Sequence, residues 1–255
     1  MRWVRTATFY AMLLVSTILL GLTAIAIVLV TRRSDWAHLL GRLWANLNLW
    51  AAGVSVDVHG LERLDPKRPV VYAANHQSWF DIFAILGKLP VQFRWLAKEE
   101  LFRIPILGYA MRLIGYVPID RSDRKKAFQS LEEASRRVRE GTAIVIFPEG
   151  TRSRDGVLQP FKKGGIILAI QSGQPIVPIA LSGSYRILPK GARLVRPGRL
   201  RMTIGEPIET AAMTVEDRDG LIDMVREAIR RHLTQREGGS LNAEASAAQA
   251  RSAAL

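Results

Sequence analysis

Between Arg5 and Arg32 the chain carries no charged residue, and the stretch from Ala7 to Val30 is almost entirely apolar. Such a run has few destinations in water. About 20 apolar residues at ~1.5 Å rise each suffice for a helix to cross the hydrocarbon core of a bilayer. A secretory signal peptide is the other reading, because Arg2 and Arg5 form a basic start and Ala24-Ile25-Ala26 resembles a cleavage site. The apolar run continues through Ile27, Val28, Leu29 and Val30 beyond that site, so the segment is read as a retained anchor. Trp36 to Gly53 follows, with Trp36, Trp44 and Trp50 among many leucines and only His38 and Arg42 as ionisable interruptions after Asp35. Tryptophan favours the headgroup level of a bilayer, so an interfacial or re-entrant helix is expected, a buried core helix being the alternative. Basic residues flank the first segment on both sides, and the charge rule gives no orientation.

From Val54 onward short β-rich runs alternate with helical patterns, which predicts an α/β fold. The expected architecture is a largely parallel central sheet flanked by helices, preceded by an N-terminal membrane-embedded helical segment. Candidate strands are Val54–His59, Pro69–Ala74, Val91–Ala97, Tyr116–Ile119, Ala143–Phe147, Ile176–Leu181 and Arg199–Ile204. Candidate helices are Ser78–Leu86, Ile106–Ile114, Asp123–Arg139, Lys163–Gln171 and Val215–Leu233. In the helix from Asp123, Ala127, Leu131, Ala134 and Val138 recur at helical spacing, and Gly141 closes it. From Arg236 the composition turns to Gly, Ser, Ala, Asn and Gln without periodicity, which predicts a disordered tail over 236–255. The division is therefore 1–53 for anchoring helices, 54–235 for the main domain and 236–255 for the tail.

Two polar segments leave the expected carboxyl ends of apolar strands, where ligands collect in open α/β sheets. The first is Asn75-His76-Gln77-Ser78-Trp79-Phe80-Asp81 after Val70-Val71-Tyr72-Ala73-Ala74. A histidine with a nearby carboxylate can take a proton from a hydroxyl, the carboxylate fixing the ring tautomer and stabilising the imidazolium. Asp81 also fits a capping box with Ser78, a purely structural role. The second is Phe147-Pro148-Glu149-Gly150-Thr151-Arg152-Ser153 after Ala143-Ile144-Val145-Ile146. Gly150 permits close approach to the backbone, and Thr151, Arg152 and Ser153 offer donors suited to a phosphate. Lys98, Arg103 and Arg121 could add positive charge, and Leu101, Phe102, Ile104, Ile106 and Leu107 either line an acyl-chain groove or pack in the core. The absence of cysteine excludes a thiolate nucleophile, disulfides and cysteine-ligated metals, and the formal charge of +13 points to an anionic partner.

Four ordered blocks resemble the glycerolipid acyltransferase family, specifically its 1-acylglycerol-3-phosphate acyltransferase branch. They are Asn75-His76 through Asp81; Lys98 to Arg121 with Pro105, Gly108 and Gly115; Phe147 to Ser153 with Phe161-Lys162-Lys163-Gly164; and Ile176-Val177-Pro178-Ile179-Ala180. The match covers about residues 70 to 182, and no motif position departs from the pattern. The resemblance implies acyl transfer from acyl-CoA or acyl carrier protein to the sn-2 hydroxyl of lysophosphatidate, giving phosphatidate. By the same implication His76 is the general base and Asp81 its orienting partner, while Lys98, Arg121, Glu149, Gly150, Thr151 and Arg152 bind substrate. No cofactor beyond the acyl donor and no metal is expected. The expected location is the inner membrane with the catalytic domain facing the cytoplasm, because the donors are cytosolic. A sister enzyme using glycerol-3-phosphate, another lysophospholipid or a lyso-aminolipid is the alternative, and a membrane-anchored basic binding protein a distant one. The basic clusters, among them Arg121 to Lys126, lack the interleaved aromatics of a single-strand nucleic-acid platform, so no nucleic-acid partner is expected. Four scattered histidines argue against a metal-dependent hydrolase.

Overall fold

The computed structural model of the protein describes residues 2–239. Two helices open the chain, α1 (Arg2–Thr31) and α2 (Ser34–Ala52). Among the described residues α1 is the one helix long and apolar enough to cross a membrane. Its hydroxyls suit an apolar surrounding: Thr8, Thr23 and Thr31 donate to the carbonyls of Val4, Leu19 and Ile27 at 3.0, 2.8 and 2.6 Å. Each polar group is thus satisfied inside the helix. α1 and α2 form a hairpin tied by polar contacts, Trp44 Nε1 donating to Thr17 Oγ1 at 2.9 Å and Asn48 Nδ2 to Ser16 Oγ at 3.2 Å.

In α2 the segment expected to lie at a membrane surface is two-sided, and the alternative of a buried core helix describes one of its sides. Trp36, Leu39, Leu43 and Trp50 are exposed, whereas Ala37, His38, Ala45, Asn48 and Leu49 are buried against the rest of the molecule. Gly53 at φ +66 ends the helix in the left-handed conformation, which costs glycine nothing, and starts the sheet.

Seven strands follow: β1 (Val54–His59), β2 (Val71–Ala74), β3 (Arg94–Lys98), β4 (Val117–Ile119), β5 (Ile144–Ile146), β6 (Ile176–Ser182) and β7 (Gly198–Ile204). They lie in the order β1-β7-β6-β2-β5-β3-β4, all neighbours parallel except β6 and β7. The helices between them are α3 (Phe80–Lys88), α4 (Leu107–Ile114), α5 (Arg124–Arg139), α6 (Lys163–Ser172) and α7 (Ser184–Ile187), and α8 (Arg218–Arg230) follows the last strand. All seven expected strands are present. The last helix begins later than expected because Thr214 and Asp217 make a capping box around a 3-10 turn at Val215–Asp217.

Successive side chains of a strand point to opposite faces. Tyr72 and Ala74 join the core beneath α1, α2 and α3, with Phe9, Phe80 and Phe83. Val71 and Ala73 join the other, with residues of α5, α6 and α8 such as Val138, Ile166 and Val225. Fully burying one such side chain contributes roughly 1.5–3 kcal/mol, so each layer fixes its helices firmly.

The expected tail does not begin at residue 236. Residues 236–239 form a turn, and Glu237 is buried, accepting hydrogen bonds from Ser182 Oγ at 2.6 Å, the Gly183 N–H at 2.8 Å and Thr234 Oγ1 at 2.8 Å. A buried carboxylate needs such donors, and they hold this segment on the end of β6. The rest of the expected tail, 240–255, lies outside the described residues.

Candidate active site

Strands β2, β5, β3 and β4 are adjacent in the sheet, and their carboxyl ends deliver most of the polar motifs to one place. β2 leads to α3 on one face and β5 to α6 on the other, so the loops after them diverge and leave a crevice. His76 follows β2, Phe147 to Arg152 follow β5, Lys98 ends β3 and Arg121 follows β4.

His76 is clamped through its backbone before its ring is considered. Its N–H donates to Glu149 Oε1 at 2.6 Å, and its carbonyl accepts from the Ser153 N–H at 2.8 Å. Next door, the Asn75 side chain pairs with the backbone of Leu181 on β6, donating at 2.8 Å and accepting at 2.7 Å. The ring Nδ1 lies 2.9 Å from Asp81 Oδ2. An ionised carboxylate only accepts, so Nδ1 carries the proton and Nε2 is left basic. Asp81 Oδ2 also accepts from the N–H groups of Gln77 at 2.6 Å and Ser78 at 2.7 Å, whereas Oδ1 is buried without a partner. Cap and orienting group are therefore the same oxygen. Ser78 is no nucleophile, because its buried hydroxyl donates to the Leu188 carbonyl at 2.8 Å.

The ring of His76 stacks on Phe147 with centroids 3.9 Å apart and planes 12° from parallel. Phe147 is backed by Trp95 at 5.4 Å and 22°. This column supports one face of the imidazole along the cavity wall, a role that no polar motif signals.

Glu149 requires a correction. It was expected to bind substrate, but its carboxylate is buried and turned to the protein backbone, accepting from His76 and, at 3.1 Å, from the Gln159 N–H. Burial pushes its pKa up to about 8, against the lowering effect of those two hydrogen bonds. It braces one loop against the other.

The remaining candidates surround the mouth of a cavity of about 680 Å³. Arg152 lies over the Trp79 ring at 5.3 Å, and burial lowers the pKa of its guanidinium. Arg121 donates to the Gly150 carbonyl. Gly150 has φ +75, a left-handed conformation that favours glycine, and the flexible end of Lys162 lies over it, 2.9 Å from where a Cβ would stand. Lys98 borders the cavity and pairs with Glu100 at 2.7 Å. A further cation was missed: Lys190, in the loop after α7, donates to Thr151 Oγ1 at 2.9 Å and to the Arg152 carbonyl at 3.3 Å. It lies outside every motif, and only the fold brings it in.

Behind the mouth the cavity is apolar, walled by α1 at Leu20 and Ala24, α2 at Leu40 and Trp44, and α3 and α4 at Leu86 and Met111. The open choice for the segment after Lys98 resolves residue by residue. Leu101 and Leu107 line the cavity, Phe102 packs in the core and Ile104 is exposed. The helical hairpin is thus a wall of the site as well as a candidate anchor.

A His–Asp pair at the strand ends, opening on an apolar cavity bordered by cations, marks the site of an α/β enzyme. The family described as Acyltransferase matches residues 55–182, and the chain belongs to that family. A 1-acyl-sn-glycerol-3-phosphate acyltransferase of Limnanthes douglasii is 35% identical over 237 residues, covering 91% of this chain and 84% of its own length. BAT2, the chloroplastic 1-acyl-sn-glycerol-3-phosphate acyltransferase of Brassica napus, is 38% identical over 178 residues. That match covers 69% of this chain and 51% of the relative, so the chain spans about half the length of such relatives. The crystal structure of the 1-acyl-sn-glycerophosphate acyltransferase PlsC from Thermotoga maritima superposes with a TM-score of 0.78 at 29% identity, over 90% of this chain and 93% of that one.

Proposed function

We propose that the protein transfers a fatty acyl group from a thioester donor, acyl-CoA or acyl carrier protein, to the sn-2 hydroxyl of lysophosphatidate, giving phosphatidate. The observation that carries this reading is the join between a His–Asp pair and a cavity that is cationic at its mouth and apolar within. His76 Nε2 takes the hydroxyl proton while Asp81 stabilises the imidazolium that forms. The alkoxide oxygen bonds to the thioester carbonyl carbon, the C–S bond then breaks, and the leaving sulfur takes the proton back from His76. The acceptor's phosphate sits among Arg152, Arg121, Lys190 and Lys98, and an acyl chain fills the apolar arm. Glu149, Gly150 and Thr151 act by shaping the loop that carries Arg152.

α1 enters the membrane and α2 lies at its surface, with the catalytic domain on the cytoplasmic side of the inner membrane where the donors are found. The support is the exposed apolar surface of α1, including Leu14, Leu19 and Leu22, and the exposed tryptophans of α2.

The test is thiol release from an acyl-CoA by detergent-purified protein, with lysophosphatidate, glycerol-3-phosphate or a zwitterionic lysophospholipid as acceptor, beside His76→Ala. Release that requires lysophosphatidate and vanishes in the variant is expected. Release with another acceptor alone would move the substrate within the family. Release that survives His76→Ala would remove the proposed base.

A further inference from the structure

The first turn of α5 carries Arg124, Lys125 and Lys126 and no acidic residue. The positive end of a helix dipole disfavours cations, and here the N-cap Asp123, accepting from the Lys125 and Lys126 N–H groups at 2.9 and 3.1 Å, offsets them. Lys126 is within 3.9 Å of both Asp120 and Asp123. Arg124 and Lys125 make no ion pair among the described residues, whereas the far end of α5 is laced by Arg136 and Arg137 with Glu133 and by Arg136 with Glu140. One turn after the free cations, Phe128 is 52% exposed. Residues three and four apart share a helix face, so Arg124, Lys125 and Phe128 form one patch, bounded by the exposed Glu132.

This patch adjoins the mouth of the cavity. Arg121, three residues before α5, borders the cavity and reaches Gly150. Lys162 is exposed, lies over Gly150 and has no ion pair among the described residues. Lys162 directly precedes α6, which packs on α5 where Leu131 meets Gly164. An exposed aromatic residue beside an unpaired arginine has the composition of a protein-binding contact more than of an ordinary solvated face.

Which side of the sheet it occupies selects the partner. α5 belongs to the layer with Val71 and Ala73, opposite the layer that α1 and α2 join. A bilayer taken up by α1 therefore meets the other face.

We propose that the outer face of α5, through Arg124, Lys125 and Phe128, docks an acidic carrier protein that presents the acyl thioester on its flexible prosthetic arm. The proposal rests on the acyltransferase reading and names the partner that brings its donor. Acidic surface on the carrier complements the free cations and speeds encounter, Phe128 supplies the apolar contact, and Arg121 and Lys162 lead toward the mouth.

The experiment compares wild type with Arg124→Glu/Lys125→Glu and with Phe128→Ser, using one acyl chain on acyl carrier protein and on CoA with lysophosphatidate fixed. Charge reversal is expected to raise KM for the carrier-protein donor roughly tenfold or more, with a dependence on salt, and to leave the CoA donor within about twofold. Phe128→Ser should act in the same direction. Equal losses with both donors, no loss with either, or wild type that uses CoA alone would each overturn the docking surface while leaving the acyltransferase reading intact. No His76-dependent turnover with either donor would sink that reading, and the docking proposal with it. Binding to vesicles of phosphatidylethanolamine and phosphatidylglycerol is measured alongside. Release of the charge-reversed variant from them would assign the patch to the membrane and refute the proposal.

Discussion

Asp81→Asn separates two roles that one carboxylate oxygen performs. Oδ2 accepts from His76 Nδ1 and from the Gln77 and Ser78 N–H groups, while Oδ1 is buried and unpartnered. An asparagine can put its carbonyl oxygen where Oδ2 stands and its NH2 where Oδ1 stands. The three hydrogen bonds, the loop and the Nδ1–H tautomer are then kept, and only the negative charge is lost. That charge matters once the imidazolium forms. Unit charges about 4 Å apart at an effective dielectric of about 20 attract by ~4 kcal/mol, close to three decades of rate. The expected outcome is kcat lower by roughly 10³-fold with KM for the acceptor within about threefold. It is measured by thiol release under saturating donor, with circular dichroism melting run on the same samples. A rate loss under about tenfold would mean that the charge does no catalytic work and that Asp81 is chiefly a cap. A large fall in melting temperature with the rate per folded molecule unchanged would refute the argument altogether.

Three further outcomes follow from the same geometry. Arg152→Ala should raise KM for a phosphate-bearing acceptor by roughly 10- to 100-fold, the worth of one charge-assisted hydrogen bond, and hardly affect one without a phosphate monoester; an unchanged KM in a steady-state titration takes Arg152 out of the phosphate site. Glu149, lifted from 4.5 to about 8, keeps a proton in the folded protein that the unfolded chain gives up. Its stabilising contribution is complete below about 4.5 and is lost as pH rises through about 8, so the stability of Glu149→Gln relative to wild type, whatever its sign at low pH, should rise across that window by up to roughly 5 kcal/mol. A difference that stays flat in denaturant melts from pH 5 to 8 would contradict the assigned burial. Gly41 borders the apolar arm, and a Cβ there meets only ordinary contacts, 3.6 Å from Leu86. Gly41→Met should therefore fold and should shift preference to shorter acyl chains by about fourfold per methylene excluded, read from relative rates with a thioester series; an unchanged profile would mean the arm does not hold the acyl chain.

Much of this was legible because periodicity and strand-end chemistry are local. The Ala143 to Ile146 run, buried on both faces, reads as a strand without any knowledge of its neighbours, and so does the apolar run before Asn75. His76 and Asp81 are five residues apart, so their pairing needs only one turn. What escaped depends on contacts between segments far apart in sequence. Glu149 looks like a substrate ligand in its motif, yet it is spent on the backbone of His76, 73 positions away. Lys190 carries no motif, and its place is fixed by how β6 and the loop after α7 pass the site. Glu237 sits in a stretch whose composition reads as disordered, and only the N–H of Gly183 and the hydroxyl of Ser182 turn it into a structural residue. The stacking of Phe147 on His76 was hidden for a related reason, since an aromatic at a strand end reads as core.

The strand that follows the helical hairpin has a consequence for the order in which the protein is made. β1 pairs with β7 alone, a partner that leaves the ribosome roughly 140 residues later. Until then β1 is a strand without a partner, joined to the most apolar part of the chain, and even in the finished sheet it keeps one free edge. Early delivery of α1 to a membrane would keep that pair away from other nascent chains while the central strands β2, β5 and β6 assemble. The final zipping of β7 between β6 and β1 would then couple the finished sheet to a hairpin already in place. On this view a slip or proline in β7 would trap a chain that is inserted, half folded and prone to pair its free edge with a second copy.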